Sequence, residues 1–396
     1  MIVKLPEICE IKTGKRDANH ATENGEYRFY TCASNYSMCD TTSFSGPCVI
    51  VPGNGDIGLV FYYDGEFEAY QRTYVLKNIK INPKYLYYHL MYKWRYINSD
   101  KQFGSTVRYV RMSNFTSYEI EVFSEKEQKH IVARIEELLS ELDSGVQTLQ
   151  KVKEQLKVYR QAVLKEAFEG KFTRGNYCET NVMIEECSKN ESMQLPVIPK
   201  EWKYVYLNKL GDLGRGKSKH RPRNDSRLFE NGQYPFLQTS EVKSAKKFIT
   251  QYSKMYSDFG LAQSKLWPKG TLCITIAANI AETAFLGIDA CFPDSVVGFT
   301  ANEYTNPFYV KYFIESQKLK LWAFAPATAQ KNINLDTLEN LMIPYCEKEE
   351  QNKVVEEIEQ RMSVCDSIEQ TVDTALQQAE ALRQSILKKA FEGGLV

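Results

Sequence analysis

The sequence predicts a duplicated α/β (α+β) chain. Two mixed α/β domains are separated by two long helices that form an antiparallel coiled coil, and the halves are related by an internal pseudo-twofold repeat. Three observations predict this. Residues 127 to 173, opening Glu127-Gln128 and closing Ala167-Phe168-Glu169-Gly170, align without a gap onto residues 350 to 396, which open Glu350-Gln351 and close Ala390-Phe391-Glu392-Gly393. About 19 of roughly 47 aligned positions are identical, more than shared helical composition produces. The match also continues upstream of the helices, and both helices carry apolar residues in heptads.

The upstream match places a globular domain before each helix. Ser105-Thr106 meets Thr328-Ala329, Arg108 meets Lys331, Val110 meets Ile333 and Ile120 meets Ile343. One residue of slippage earlier, Asn82-Pro83-Lys84-Tyr85 meets Asn306-Pro307-Phe308-Tyr309. The amino-terminal stretches match only loosely, with Gly14-Lys15 resembling Gly216-Lys217. The expected order is a first globular domain at 1–125, a first long helix at 126–174, a linker at 175–195, a second domain at 196–346 and a second long helix at 347–396.

Taken in order, Pro47–Pro52 and Ile57–Tyr62 are apolar runs joined by Gly53-Asn54-Gly55, which predicts strand, turn and strand. Leu272–Ile276 followed by Ala284-Phe285-Leu286 is the counterpart. A helix starts from Asn82-Pro83 and another from Asn306-Pro307. Asparagine caps the free amides, and proline sits in the first turn, where it has no hydrogen bond to lose.

In the first long helix Ile135, Leu142, Leu149, Leu156 and Val163 fall one heptad apart, with Leu138, Val152 and Tyr159 between them. In the second, Ile358, Cys365, Val372, Ala379 and Ile386 form one series and Ile368, Ala375 and Leu382 the other. Two such helices in one chain most simply pack on each other. Each is on the order of 60 Å long, so an antiparallel pair would act as a ruler between the domains. Apolar positions off this seam (Ile131, Leu139, Val146, Phe168, Phe172, Met362, Leu376, Phe391, Leu395) are expected to dock partners.

Composition excludes several classes. The chain has 396 residues and is 43% hydrophobic, the content of a soluble globular protein. No apolar run approaches the roughly 18 residues that span a bilayer, and the start is no secretory signal, so a cytoplasmic protein is expected. The ten cysteines are scattered without a C-x-x-C pair and read as reduced, mostly buried thiols. With four dispersed histidines, no metal site is expected.

Net charge is zero, but the basic residues are not spread evenly. Lys209, Arg215, Lys217, Lys219, His220, Arg221 and Arg223 are interleaved with Gly214 and Gly216. Such a loop suits neutralisation of phosphates and contact with guanine edges; a solvated basic loop is the plain alternative. Asn306-Pro307-Phe308-Tyr309 looks like the loop that holds the target amine in amino-methyltransferases. Its duplicate at Asn82-Pro83-Lys84-Tyr85, and the lack of a glycine-rich cofactor loop after a strand, favour the helix cap. Gly214-Arg215-Gly216-Lys217 lacks the P-loop spacing. No catalytic residue is expected.

The order and duplication of four pieces resemble the specificity subunit of type I restriction-modification enzymes over essentially the whole chain. These are the paired helices with their Ala-Phe-Glu-Gly ends, the Glu127-Gln128 and Glu350-Gln351 openings, the lead-in from Leu195-Pro196 to Trp202, and Ala329-Gln330-Lys331-Asn332-Ile333-Asn334. The resemblance implies two target-recognition domains, each reading one half of a bipartite DNA site, with the helices setting the gap. It implies docking of two adenine-methylating subunits and of restriction (motor-nuclease) subunits. S-adenosylmethionine, ATP and magnesium are then expected on those partners and none on this chain. A solitary methyltransferase and a coiled-coil scaffold without sequence preference are the alternatives.

The DNA-contacting candidates follow from side-chain chemistry. In the first domain they are Lys12, Lys15, Arg16, Asn19, His20, Tyr30, Ser34, Asn35, Asn54, Gln71, Arg72, Arg108 and Arg111. In the second they are Arg215, Lys217, Lys219, Arg221, Arg223, Gln238, Thr239, Ser240, Lys243, Gln330, Lys331 and Asn332. Tyr30 and Tyr36 are expected to stack on DNA or to pack inside the domain.

Overall fold

A computed structural model describes residues 1–99, 102–103, 108–173, 196–277, 279–324 and 332–394. The expected linker at 175–195, Gln330, Lys331 and Leu395 lie outside the described residues. The chain divides into two compact units, residues 1–152 with 371–396 and residues 153–370. The division cuts across both long helices, Glu125–Phe168 and Lys348–Phe391. Each unit therefore holds one globular domain, the opening of the helix that follows it, and the end of the other helix.

In the first unit an antiparallel sheet orders Glu10–Thr13, Thr73–Lys77, Pro47–Pro52 and Phe61–Asp64. Ser37–Cys39, Tyr27–Tyr30 and Phe67–Ala69 form a second sheet whose last two strands run parallel. Ile2–Lys4 pairs with Glu119–Glu121 just before the long helix begins. The expected strand at Ile57 starts instead at Phe61. The intervening residues turn because Asp56 accepts from the Gly58 amide through its carboxylate, and from the Leu59 amide through its carbonyl. Ile57 and Val60 still insert into the core.

The second unit repeats the plan. Gly211–Arg215, Val296–Ala301, Leu272–Thr275, Thr283–Leu286 and Phe248–Ile249 form the larger sheet. Lys254–Tyr256, Tyr234–Phe236, Ala290–Cys291 and Leu266–Trp267 form the smaller one, and Lys203–Tyr206 pairs with Met342–Tyr345 ahead of the second long helix.

The helix starts at Asn82-Pro83 and Asn306-Pro307 are caps. Asn82 Oδ1 accepts from the Lys84 and Tyr85 amides, and Asn306 Oδ1 from the Phe308 amide. The repeated glutamines lock these caps in place. Gln128 Oε1 accepts from Asn82 N at 2.9 Å while its Nε2 donates to Phe123 O at 2.8 Å. Gln351 does the same to Asn306 N at 2.8 Å and Cys346 O at 2.8 Å. Both glutamines are buried, and each satisfies backbone groups that burial would otherwise orphan.

The Ala-Phe-Glu-Gly ends are docking points. Phe391 inserts among Tyr85, His89 and Tyr92, with ring centroids 5.3, 5.0 and 6.0 Å away. Phe168 meets Tyr309 and Phe313 at 5.0 and 5.1 Å. Each long helix thus ends on the domain that belongs to the other half of the repeat.

Within each unit the helix segments run antiparallel. In the first, Arg383 pairs with Asp143, while Leu138 and Leu142 share a groove with Leu382, Ile386 and Lys389. In the second, Arg160 Nη2 bonds Asp366 at 2.7 Å and Glu369 at 3.0 Å, and Thr173 donates to Glu350 at 2.8 Å. The two Arg–Asp pairs occupy positions aligned by the repeat.

The heptads need correction. Ile135, Leu156, Val163, Ile358, Val372 and Ile386 are buried, and Leu142 and Leu149 are half-buried. Ile368 is 41% exposed, Leu382 50% and Tyr159 45%. Arg160 bridges to Asp366 and Glu369 on either side of Ile368, and Arg383, next to Leu382, bridges to Asp143, so polar pairs take those contacts. The expected docking positions Ile131, Leu139, Phe168 and Phe391 are buried in the cores of their own units, and Phe172 and Met362 pack against one of these cores. The helices use that second apolar face to hold the globular domains. Val146 and Leu376 are half-buried.

Candidate nucleic-acid interface

The loosely matched Gly-Lys dipeptides fall at the same place in both units. The Gly14 amide donates to Thr73 O at 3.1 Å, and a side chain there would meet Ala69 O at 2.0 Å. The Gly216 amide donates to Val296 O at 2.9 Å, and its missing side chain would meet Phe292 O and Pro293 O at 2.3 Å. Only glycine allows so close a backbone approach. Lys15 and Lys217 follow it, exposed and without an ion-pair partner among the described residues.

A second loop comes alongside. In the first unit Val110 N donates to Gly53 O at 2.8 Å, Gly53 N to Arg72 O at 2.8 Å, and Asn54 forms a bridge with Tyr109. In the second unit Ile333 N donates to Ile276 O at 2.9 Å and Ala277 bridges Asn332.

In the first unit these contacts bring Gln71, Arg72 and Arg111 around a concavity of about 450 Å³, with Gly53, Tyr74, Tyr109 and Val110 completing its wall. Asn54 and Arg108 are on the adjoining loops, and the Asn54 side-chain oxygen is shielded without a hydrogen-bond donor among the described residues. The Arg111 guanidinium lies 4.1 Å from the centre of the Phe103 ring and donates to Tyr109 Oη at 2.9 Å. Arg72, Arg108 and Arg111 are exposed and face no carboxylate in ion-pair range among the described residues. Cations held this way, uncompensated and partly stacked, suit phosphates and base edges.

The other first-domain candidates divide. Gln71 Nε2 donates to Asp17 at 2.8 Å, Lys12 pairs with Glu10 at 2.9 Å, and His20 bonds the Thr41 hydroxyl at 2.8 Å. Asn19, Ser34 and Asn35 are exposed. Tyr30 is withdrawn from the surface: it is 3% exposed and packs on Phe61, Tyr63 and Phe67, because its strand lies between the two others of the smaller sheet.

The basic loop of the second unit is partly self-neutralised, which sequence reasoning missed. Arg223 pairs with Asp294 at 3.1 Å and Arg215 donates to the Asp294 carbonyl at 3.0 Å. Arg221 caps the Ser218 and His220 carbonyls at 2.7 and 2.8 Å. Asp225 bonds Arg227 and His220, each at 2.7 Å; Arg227 above all, then His220, holds its carboxyl well below the usual range. Asp294 is far away in sequence, and only the fold brings it close. Lys217 and Lys219 remain exposed without an ion-pair partner among the described residues.

Gln238, Thr239 and Ser240 begin the short helix Thr239–Ser244, where Glu241 accepts from the Gln238 amide and from the Ser240 and Ser253 hydroxyls. Lys243 reaches Asn279 at 3.4 Å. Asn332 is exposed on its bridge.

The described residues contain no group of three or more His, Cys, Asp or Glu placed to hold a metal ion. The eight described cysteines are free, seven of them buried. No helix among the described residues is long and apolar enough to cross a membrane.

A family model described as the type I restriction modification DNA specificity domain matches residues 1–157 and 199–378, one match for each half of the repeat. The chain belongs to this family. Family members similar to it include the type I restriction enzyme EcoDI specificity subunit of Escherichia coli, 28% identical over 407 residues, spanning 99% of this chain and 88% of that one. The EcoBI specificity subunit of Escherichia coli is 27% identical over 278 residues, spanning 68% and 56%. A solved structure concerned with complex assembly and conformational transition of the type I R-M system shares the family fold at TM-score 0.74, with 17% identity over 100% of this chain and 98% of that one. The HsdS subunit from Thermoanaerobacter tengcongensis gives 0.56, with 17% identity over 100% and 97%.

Proposed function

We propose that this chain is the DNA sequence-specificity subunit of a type I restriction-modification complex, each globular domain reading one half of a bipartite site. The observation that carries this is the duplicated surface: a Gly-Lys turn and the loop at Asn54 or Asn332 recur on one scaffold with different polar side chains around them. A fixed frame with two sets of side chains suits an asymmetric two-part target. The candidates best placed to read it are Lys15, Arg16, Asn54, Gln71, Arg72, Arg108 and Arg111 in the first domain. In the second they are Lys217, Lys219, Lys243 and Asn332.

The helix pair sets the gap between half-sites. Val158, Tyr159, Val364 and Ile368 are apolar and exposed on the helix segments of the second unit, where a methylating subunit can cover them. Two methylating subunits and the restriction subunits bring the chemistry, with S-adenosylmethionine, ATP and magnesium bound on them. The motif at Asn306 is committed to capping a helix, so methyl transfer falls to a partner.

Co-expression with a type I methylating subunit from the same genome, followed by genome-wide mapping of methyladenine, tests the reading. Methylation of one bipartite sequence is expected. Methylation by this chain alone, or by the complex without sequence preference, would overturn it. Adding one heptad to the first long helix should change the tolerated gap and keep both half-sites; a changed half-site with an unchanged gap contradicts the ruler.

A further inference from the structure

Glu68 stands on the strand Phe67–Ala69 with its carboxylate fully buried. A buried carboxylate persists only when donors answer it. Three do: Arg16 Nε at 3.2 Å, the Ser43 hydroxyl at 2.7 Å and the Ala69 amide at 2.9 Å. Arg16 is anchored by its backbone as well, through a bridge to Tyr70 and through its carbonyl, which accepts from Gln71 N at 2.9 Å. Its side chain is 42% exposed, and the four N–H bonds on its two terminal nitrogens meet no acceptor among the described residues. It follows the Gly14-Lys15 turn and bonds the residue beside Arg72.

The described residues at the matching place in the second unit hold no such pair. Glu68 pairs in register with Phe29 and Cys291 with Phe236 of the matching parallel strands, so the buried Cys291 stands where Glu68 does, and the residue after Lys217 is Ser218.

We propose that Glu68 is a positioning residue that fixes the Arg16 guanidinium so that its two free nitrogens read a base edge in the half-site of the first domain. The inference rests on the DNA-reading function proposed above. A guanidinium held at Nε by a buried carboxylate keeps two parallel donors, the pattern that matches guanine O6 and N7. Because Glu68 offsets its charge, Arg16 adds to base discrimination more than to attraction for phosphates.

The test uses the assembled complex and the mapped wild-type sequence; the half-site that changes when residues 1–125 are exchanged for those of a relative belongs to the first domain. Binding is measured to duplexes mismatched singly in each half-site, over a range of salt. Arg16→Lys keeps the charge and loses the paired donors, and Glu68→Gln loosens the guanidinium. Both are expected to lower discrimination about tenfold at one base pair of the first half-site, leaving the second half-site unchanged, and Arg16→Lys also leaves the salt dependence unchanged. Unchanged discrimination in Arg16→Lys overturns the proposal, even if Glu68→Gln fails to fold. Equal losses at both half-sites in Arg16→Lys also overturn it, since they mark a structural role. A wild-type complex that shows no sequence preference contradicts the proposed function itself and is distinguishable from either result.

Discussion

Phe391 and Phe168 end their helices in matching aromatic nests, but the nest around Phe391 contains His89 where the nest around Phe168 contains Phe313. The two units keep the same buried hydrogen bonds, the glutamine on its cap and the tyrosine of the capped helix on a backbone carbonyl: Tyr85 to Glu121 and Tyr309 to Pro344. They part company at the surface. Arg72, Arg108 and Arg111 lack a carboxylate partner among the described residues, whereas Arg223 is paired with Asp294 and Arg227 with Asp225. Buried polar contacts fix residue type because an unmet backbone group is costly. Exposed side chains carry no such constraint, and the targets can differ there.

Emptying the nests should have the largest effect. Phe391→Ala and Phe168→Ala should each cost about 3–5 kcal/mol. Hydrogen exchange should show the first loosening residues 83–98 and the second residues 307–316. Loosening in the opposite unit would refute the exchange of helix ends.

Acid should separate the units next. Burial pushes His89 down to about 3 from an ordinary value of 6.5. Between those values the unfolded chain takes up a proton that the folded unit refuses. The stability held by neutral His89 is therefore full above about pH 6.5 and falls as the pH drops towards 3. At pH 5 the first unit should lose about 2 kcal/mol on this account, and exchange rates at residues 83–98 should rise with no matching rise at 307–316. His89→Phe, copying the other nest, should remove the difference.

Smaller effects should fall equally on the two units. Gln128→Ala and Gln351→Ala should each cost about 2 kcal/mol, since each orphans at least two backbone groups away from solvent. Asn82→Ala and Asn306→Ala should each cost about 1 kcal/mol, read from urea midpoints.

The sequence disclosed the duplication, the capped helices and the antiparallel pair, because each leaves a periodic or local mark. It did not disclose which apolar stripe of each long helix meets the other helix and which meets a domain. Ile131 and Phe391 are as apolar as Ile386, and only the fold separates their neighbours. Nor could it foresee that Glu68 would hold Arg16 or that Asp294 would meet Arg223, since those carboxylates are remote in the chain. The Gly14-Lys15 and Gly216-Lys217 likeness was legible but faint, carried by one glycine whose need arises from a distant strand.

The most direct measurement is methyladenine mapping of complexes containing the wild-type chain and a hybrid whose residues 1–125 come from a family member with a different target. The hybrid should change one half of the methylated sequence and keep the other half and the gap. A change in both halves, or in neither, would contradict the division of reading between two domains.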